Sequence, residues 1–421
     1  MKIVLASYGS RGDVEPCIAV GRELLRRGHE VRVAVPPELI GFAEAAGPAA
    51  VAYGPDVQPI LDAHRRFWTS VFNSFWKIHV LIRLRREIAG PVVQRWGDIT
   101  ETLASLAKGA DLLVTGLNFE QAAANVAEYY DIPLATLHLY PVRANGRLIQ
   151  FLPAPLGRSA MRLYQWLAWR AATKLENTQR RQLGLPPATK PYPRRMTERG
   201  SLEIQAYDEV CFTGLATEWA KRDGQRPFVG ALTLELPTDT DDEAARWIAA
   251  GTPPIFFGFG SIPVNSPADT MAMIAEACAQ LGERALVCAG WSDFSQVAPF
   301  DHVKVVPALN FAAAFPACRA VVHHGGVGTT AAGLRAGVPT LILSTDVEHT
   351  IWGARLKRLK VGSVRRFSST TRETLVADLR IILGPEYVTR AREIATRMTK
   401  PAESVAAAAD WVEHLARLGV R

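Results

Sequence analysis

Apolar runs of four to six residues alternate with helical patterns along the first third of the chain, and glycine loops separate them. A strand is predicted at 2–6, a loop at 7–13, a helix at 14–27 and a second strand at 30–35. Strand, loop, helix and strand in this order open a doubly wound parallel sheet. Further strands are predicted at 111–115 and 134–139.

The same pattern starts again near Pro254, which indicates a second α/β unit. Its predicted elements are strands at 255–259, 284–288, 320–322 and 340–343, and helices at 267–281 and 329–336. The stretch 222–252 is rich in Pro, Gly and Asp, as linkers are. We therefore predict an N-terminal Rossmann-like domain at 1–222, a linker at 223–252 and a C-terminal Rossmann-like domain at 253–400. A final helix at 401–421 is expected to pack back on the N-terminal domain.

Composition excludes several classes of protein. The chain has 421 residues, of which 48% are hydrophobic and 21% charged, so it can bury a core and is not disordered. No run of about 18 apolar residues predicts a membrane span, and the first residues do not resemble a signal peptide. The five cysteines are scattered and lack zinc-ligand spacing. They indicate reduced core residues of a cytoplasmic protein.

The segment HHGGVGTT at 323–330 carries the most specific chemical signal, because it links a strand to a helix. Glycines let the backbone approach a ligand closely, and the helix that follows directs free N–H groups at the loop. A diphosphate is the expected ligand, and a bare structural turn is the alternative. The segment is neither a Walker loop nor a good dinucleotide fingerprint.

Several motifs together resemble GT-B nucleotide-sugar glycosyltransferases, in particular the sterol and actinobacterial natural-product types. The motifs are GSRGDVEP at 9–16, FGS at 259–261, VHHGGVGTT at 322–330, AGVP at 336–339 and WGAR at 352–355. The resemblance covers essentially the whole chain. The segments EYYDIP at 128–133 and SLEIQAY at 201–207 are most similar to mycobacterial glycopeptidolipid glycosyltransferases.

This resemblance implies an acceptor-binding N-terminal domain, a donor-binding C-terminal domain and a cleft between them. The donor-binding positions that it implies are Ser261, Trp291, Pro307, Ala308, His324, Gly325, Gly326, Gly328 and Thr329. A broad ring such as Trp291 suits stacking on a base, although core packing is the alternative. On the acceptor side the implied positions are Ser10, His138, Trp68 and Trp76. A histidine after a strand is also commonly a core residue.

Asp13 matches the catalytic base of inverting relatives. An acceptor hydroxyl must lose its proton as it attacks the anomeric carbon. The alternative is that Asp13 caps the helix predicted to begin at Val14, with Arg11 as its partner.

One departure from the family pattern concerns the donor sugar. Relatives often carry Asp-Gln before WGAR, whereas the matching positions here are Glu348 and His349. An imidazole replaces an amide at the second position. We therefore expect a donor other than plain glucose, such as a deoxyhexose, with Asp346 able to share the role.

A metal is not expected. The acidic run 239–243 contains Asp-x-Asp but precedes a helix predicted near Ala244, where acids complement the helix dipole. The dipole and His324 can stabilise a leaving diphosphate without a divalent ion. No cofactor is implied, since the nucleoside diphosphate sugar is a co-substrate.

The net charge of +7 is unevenly distributed. Residues 61–100 hold seven basic and three acidic residues, and 143–195 hold eleven basic and one acidic residue, both with interleaved aromatics. Solvated helix faces over an aromatic core would explain this. The functional alternative is a groove for a lipidic acceptor beside a face that rests on anionic lipid at the inner side of the plasma membrane. No nucleic-acid motif is present.

The leading hypothesis is an inverting, metal-independent hexosyltransferase that moves a hexose or deoxyhexose, of the rhamnose or 6-deoxytalose type, to a lipidic or natural-product hydroxyl. A glycopeptidolipid is one such acceptor. Alternatives are a sterol, macrolide or glycopeptide glucosyltransferase, a nucleotide-sugar epimerase of GT-B architecture, and an inactive sugar-nucleotide-binding module.

Overall fold

The computed structural model describes residues 1–74, 76–149, 152–220, 224–260, 264, 266–295, 297 and 299–419. The chain divides into two compact units. The first comprises 1–63, 83–234 and 399–421, and the second comprises 64–82 and 235–398. These boundaries differ from the predicted ones, because 64–82 group with the second unit and the transition falls at 234–235.

Twelve strands form two six-stranded sheets. The strands are β1 (Lys2–Ala6), β2 (Glu30–Val35), β3 (Ala49–Ala52), β4 (Leu112–Thr115), β5 (Leu134–His138), β6 (Leu202–Gln205), β7 (Ile255–Gly258), β8 (Ala285–Cys288), β9 (Val303–Val306), β10 (Ala320–His323), β11 (Thr340–Ser344) and β12 (Gly362–Arg366). Their orders are β3-β2-β1-β4-β5-β6 and β12-β11-β10-β7-β8-β9. Every pair is parallel. Helices cover such sheets, which explains why the central strands read as continuous apolar runs.

The helices connect these strands. They are α1 (Arg11–Arg26), α2 (Ile40–Ala45), α3 (Gln58–Ser74), α4 (Ile78–Gln94), α5 (Trp96–Ala107), α6 (Glu120–Tyr130), α7 (Ala154–Gln182), α8 (Tyr192–Glu198), α9 (Leu215–Trp219), α10 (Asp241–Ala249), α11 (Pro267–Leu281), α12 (Phe311–Ala314), α13 (Val327–Ala336), α14 (Val347–Leu359), α15 (Arg372–Ile382), α16 (Pro385–Ala395) and α17 (Pro401–Gly419). In the described part of the chain, none of them is long and apolar enough to cross a membrane.

The C-terminal helix α17 packs in the first unit, against α1. Arg27, which follows α1, donates to Asp410 over 2.6 Å, and His29 lies 2.9 Å from Glu413. The chain therefore returns to its first unit after completing the second.

In each sheet the strand order reverses once, between β1 and β4 and between β10 and β7. Open parallel sheets bind ligands outside the carboxyl ends of the strands at such a point. The predicted motifs lie there: GSRGD follows β1, FGS follows β7 and HGGVGTT follows β10.

Candidate active site

The loop after β10 is tightly packed, and its glycines have no room for side chains. Gly325 has φ +114°, and a Cβ there would lie 2.7 Å from Cβ of His349. Gly260, after β7, has φ +60°, and its Cβ would lie 2.5 Å from Cε1 of His324. Both the left-handed backbone and the close approach require glycine.

Three imidazoles cluster at this loop, because His349 of α14 packs against His324. The rings of His324 and His349 lie 4.9 Å apart at 80°, and those of His323 and His324 lie 5.9 Å apart. Burial, reinforced by His349, lowers the pKa of His323 to about 3. Burial also lowers the pKa of His349, although Asp346 opposes the shift, and burial together with the other two rings lowers the pKa of His324 further. All three rings are therefore neutral near pH 7.

Two ring nitrogens of this cluster are buried without a partner in the described part of the chain, namely Nε2 of His323 and Nδ1 of His324. Nδ1 of His323 accepts from the backbone N–H of Gly325 over 3.0 Å, so its proton lies on Nε2. Buried polar atoms usually have a partner. The orphaned nitrogens mark this loop as a site whose hydrogen bonding is incomplete.

Helix α13 begins at Val327 with Gly326 as its N-cap, two residues before the predicted start. Its first turn contains no acid. The first N–H groups of a helix have no intrahelical acceptor and carry a partial positive charge. Gly328 and Thr329 are partly exposed, so this helix end is accessible to an anion.

The next helix, α14, carries the two residues that depart from the family pattern. Asp346 caps it by accepting from the backbone N–H of His349 over 2.9 Å. Nδ1 of His349 lies 2.9 Å from Oγ1 of Thr345 and 3.2 Å from Oδ2 of Asp346. Glu348 is partly exposed, whereas His349 is buried. The imidazole is therefore held by its neighbours on one nitrogen and packed against His324.

The segments predicted to flank a nucleobase lie at the carboxyl end of β8 and β9. Trp291 is partly exposed, and its backbone N–H donates to the carbonyl of Gly260 over 3.2 Å. The carbonyl of Pro307 accepts from Gly290, and that of Ala308 from Oγ1 of Thr240. Ser261 lies outside the described residues.

In the first unit, Asp13 is in the first turn of α1. Oδ2 of Asp13 accepts from both the backbone N–H and the hydroxyl of Ser10, each over 2.8 Å. Gly9, with φ +134°, makes room for this contact, since a Cβ there would lie 2.4 Å from Oδ2. The structure thus brings the predicted base and the predicted acceptor residue Ser10 together.

Asp13 does take part in capping α1, as the third helical residue of a capping box with Ser10 and not as the N-cap that the alternative expected. Helix α1 begins at Arg11 rather than Val14, and its N-cap is Ser10. Arg11 pairs with Glu15 over 3.2 Å and lies over the ring of Phe42. Its charge is therefore committed elsewhere, and Asp13 is held by Ser10.

The side chain of His138 is fully buried, which favours the core alternative, and its role in acceptor binding stays a prediction. Its Nε2 lies 2.8 Å from Glu120, which also accepts from Arg143 over 2.7 Å, and Arg143 donates to Glu203. Burial would raise the pKa of Glu120, but Arg143 and His138 lower it to about 2. No signal in the sequence reveals these partners of His138.

The aromatic pair Trp68 and Trp76 belongs to the segment that groups with the second unit. Nε1 of Trp68 donates to Nε2 of His64 over 3.0 Å, and Trp76 is exposed. Their assignment to the acceptor remains a prediction.

The basic stretch 143–195 is less exposed than its composition suggests. Arg143, Arg180 and Arg195 are largely withdrawn from solvent and pair with carboxylates, including Glu128 and Glu203. Their charges therefore stabilise the interior of the unit and do not contribute to a surface.

The acidic run near 241 lies at the start of helix α10. Asp241 accepts from the backbone N–H and hydroxyl of Thr238 and from the backbone N–H of Asn310. Helix α10 begins at Asp241, three residues before the predicted start. Among the residues that the structure describes, no cluster of three His, Cys, Asp or Glu side chains suits a metal ion. Metal independence stays a prediction.

Sequence reasoning missed Asn118 and Phe119, which follow β4 at the switch point. Nδ2 of Asn118 donates to the carbonyl of Tyr8 over 2.9 Å, and Phe119 stacks on the ring of Tyr8 at 4.5 Å. Phe119 has φ +63°, an uncommon conformation for a bulky residue. Neither residue belongs to a motif.

Two family models match the chain. Residues 3–89 match the glycosyltransferase family 28 N-terminal domain, and residues 290–416 match the C-terminal domain of erythromycin biosynthesis protein CIII-like proteins.

Similar proteins cover the chain from end to end. The uncharacterized glycosyltransferase Rv1524 of Mycobacterium tuberculosis is 60% identical over 99% of each chain. The sterol 3-beta-glucosyltransferase UGT80B1 of Arabidopsis thaliana is 27% identical over 97% of this chain and 67% of its own.

Solved structures share the fold. The glycotransferase of kitacinnamycin superposes with a TM-score of 0.70 at 16% identity, covering 98% of both chains. The glycosyltransferase VinC in complex with DTDP superposes at 0.60 with 17% identity, over 98% of this chain and 100% of its own. The spinosyn rhamnosyltransferase SpnG superposes at 0.66 with 16% identity, over 99% and 100%.

These relatives are transferases, so the epimerase and the inactive binding module are set aside. Two six-stranded parallel sheets, the glycine loops at their switch points and a 60% identical relative over nearly the whole chain lead to one conclusion. The chain belongs to the GT-B glycosyltransferases and is a transferase.

Proposed function

We propose that this glycosyltransferase moves a hexose or deoxyhexose from a nucleoside diphosphate sugar to a hydroxyl of a lipidic or natural-product acceptor, with inversion and without a metal ion. The observation that carries the proposal is the loop from His323 to the start of α13. It combines glycines without room for side chains, orphaned imidazole nitrogens and an accessible helix N-terminus.

The start of α13 binds the diphosphate in this proposal. Its free N–H groups and dipole stabilise negative charge on the leaving group as the glycosidic bond breaks. The hydroxyl of Thr329 and the orphaned Nδ1 of His324 add hydrogen bonds to phosphate oxygens. Because His324 is neutral, it donates one hydrogen bond to the diphosphate and does not supply a full positive charge.

Asp13 acts as the general base. Its carboxylate removes the proton of the acceptor hydroxyl as that oxygen attacks the anomeric carbon from the face opposite the diphosphate, which inverts the configuration. The two bonds from Ser10 hold Oδ2 in place and orient the carboxylate. Ser10 is thus a positioning residue.

His349 favours a donor sugar with few hydroxyl groups. Glutamine presents two donors and a carbonyl, whereas a neutral imidazole presents one donor and one acceptor. Here one nitrogen already faces Thr345 and Asp346. A deoxyhexose, which has fewer hydroxyl groups, therefore leaves fewer hydrogen bonds unmade at this position than glucose does. The rhamnosyltransferase among the structural neighbours is consistent with such a donor.

Thymidine or uridine diphosphate is the proposed carrier, with Trp291 stacking on the base and the backbone of Pro307 and Ala308 at its edge. The neighbour solved with DTDP supports the thymidine form. The lipidic acceptor is supported by the sterol glucosyltransferase relative. The proposal includes contact with an anionic membrane surface, where a lipidic acceptor can reside.

Ligand-induced stabilisation tests the donor site without knowledge of the acceptor. A ligand that binds the native state and is present at about 100 times its Kd raises the free energy of unfolding by about 2.7 kcal/mol. We expect thymidine diphosphate to raise the melting temperature of the wild type. Thr329→Val should bind thymidine diphosphate about fivefold more weakly, because it loses one hydrogen bond, and its melting temperature should therefore rise less.

Thr329→Ser retains the hydroxyl and is the matched control, which should respond like the wild type. If neither thymidine nor uridine diphosphate stabilises the protein, or if Thr329→Val and Thr329→Ser behave alike, the donor assignment is wrong.

A further inference from the structure

The outward side of α7 carries large apolar side chains in contact with solvent. Leu156, Leu163, Tyr164, Trp166 and Leu167 are between 48% and 73% exposed. The three leucines recur at intervals of seven and four residues, which places them on one side of the helix. A surface helix of a soluble protein normally directs such a side inward. We refer to these five residues as the α7 apolar face.

The opposite side of α7 is firmly held. Met161 and Trp169 are buried, and Nε1 of Trp169 donates to Glu176 over 2.9 Å. Nε2 of Gln165 donates to the carbonyl of Val142 over 2.8 Å, and Arg158 donates to Glu218 over 2.9 Å. The apolar face is therefore presented by an anchored helix.

Cations lie beside the apolar face. Arg162, Arg170 and Lys174 are exposed, and none has a carboxylate partner in the part of the chain that the structure describes. Arg170 lies over the ring of Trp166 at 5.9 Å. The helix sequence contains no acid before Glu176, which is buried. The exposed side of α7 is thus apolar and positive, and the helix itself contributes no negative charge to it.

We infer that the α7 apolar face rests on an anionic lipid surface. Leucines enter the boundary between headgroups and acyl chains, tryptophan and tyrosine occupy the interface, and Arg162, Arg170 and Lys174 reach the phosphates. The inference rests on the proposed function, and in particular on its lipidic acceptor. A lipidic acceptor resides in the membrane, so a transferase bound to the membrane surface can reach it there.

The charges favour lipid over a second copy of this chain. A symmetric dimer would place this patch against itself, and its arginines and lysine would then face one another without acids to compensate. A bilayer that contains anionic lipid supplies both the apolar layer and the negative charge.

Sedimentation with vesicles tests this inference, without sugar nucleotide or acceptor. One vesicle contains phosphatidylcholine with phosphatidylglycerol, and the other contains phosphatidylcholine alone. We expect the wild type to bind the first more tightly and to lose that preference as salt is raised.

Two double variants separate the contributions. Leu163→Gln with Leu167→Gln should weaken binding to both vesicles by roughly tenfold or more. Arg162→Gln with Arg170→Gln should weaken binding to the anionic vesicle by about 25-fold and leave the neutral vesicle unaffected. Matched controls are Ile381→Gln, at a residue 50% exposed on α15, and Arg380→Gln beside it. Both controls should bind like the wild type.

The inference is overturned if the wild type binds neither vesicle, or if the α15 controls lose as much as the α7 variants. It is also overturned if the leucine variant instead converts a dimer to a monomer in size-exclusion chromatography. Stabilisation by thymidine diphosphate should be unchanged in every variant. Failure of that response in the wild type would refute the proposed donor site and leave the vesicle result standing.

Discussion

The imidazole of His349 lies edge-on against that of His324, with ring centroids 4.9 Å apart and an angle of 80° between the planes. The residue that departs from the family pattern thus packs against a residue of the proposed diphosphate loop. In the proposed function, this contact links the choice of sugar to the binding of phosphate.

We expect His349→Gln to shift donor preference toward hexoses. The amide restores a second donor for sugar hydroxyls, so the ratio of KM values for a deoxyhexose and a hexose donor should change by about fivefold, the value of one hydrogen bond. Steady-state kinetics with thymidine diphosphate rhamnose and glucose measure it. His302→Gln replaces an imidazole elsewhere in the second unit and should leave the ratio unchanged. An equal change for both donors would exclude a role in sugar choice.

The stability of the second unit should fall on mild acidification. His323, His324 and His349 have folded-state pKa values below the unfolded value of about 6.5, so the unfolded chain binds more protons as the pH falls. Their stabilisation is complete above about pH 6.5 and is lost progressively toward the folded pKa of about 3 for His323.

At about pH 5.5 His323 costs about 1.4 kcal/mol of unfolding free energy relative to high pH, and His324 and His349 change the stability in the same direction. Urea denaturation at about pH 7.5 and pH 5.5 measures the difference, and most carboxylates stay ionised in both states across that range. His349→Gln should reduce the loss by the contribution of one histidine. Equal stability at the two pH values would contradict the buried neutral state of the cluster.

Asp13→Asn should reduce transfer by about 10²- to 10⁴-fold, because the amide cannot accept the acceptor's proton. Donor binding, measured by thermal stabilisation with thymidine diphosphate, should persist. Ser10→Ala removes the hydroxyl that donates to Oδ2 and that caps α1, and it should reduce transfer by about fivefold. Transfer at the wild-type rate in Asp13→Asn would show that another group is the base.

Gly325→Ala should destabilise the second unit by about 2–5 kcal/mol. The alanine would be strained by the left-handed backbone, and its Cβ would also clash with His349. Gly282→Ala is the matched control, since Gly282 also has positive φ but nothing lies within 4 Å of its Cβ position. It should cost about 1 kcal/mol. Equal losses in urea unfolding would remove the steric argument for this glycine.

Arg143→Met should destabilise the first unit by about 3–5 kcal/mol, because Glu120 would remain buried without its arginine and Glu203 would keep only Arg226. Arg194→Met breaks an exposed pair with Glu198 and should cost less than about 0.5 kcal/mol. Chemical denaturation of the two variants compares them. A small loss in Arg143→Met would mean that the buried carboxylates find protons or other partners.

Local sequence patterns were sufficient to predict the two sheets and the phosphate loop. The two parallel sheets follow from apolar runs that alternate with helical periods, and the phosphate loop follows from glycines between a strand and a helix. Helix starts were less predictable. Helix α1 begins at Arg11 and α13 at Val327 because Ser10 and Gly326 adopt the cap conformation, which a hydrophobic pattern does not encode.

The sequence by itself determined the two-sheet class and the residue types at the ends of β1, β7 and β10, since these depend on local periodicity and short motifs. Only the tertiary structure decided which charged residues are exposed. Arg143 and Arg162 look alike in the sequence, yet Arg143 is buried between Glu120 and Glu203 whereas Arg162 faces solvent. It also decided that His138 is a core residue, because burial and ion pairing depend on neighbours that lie far apart along the chain.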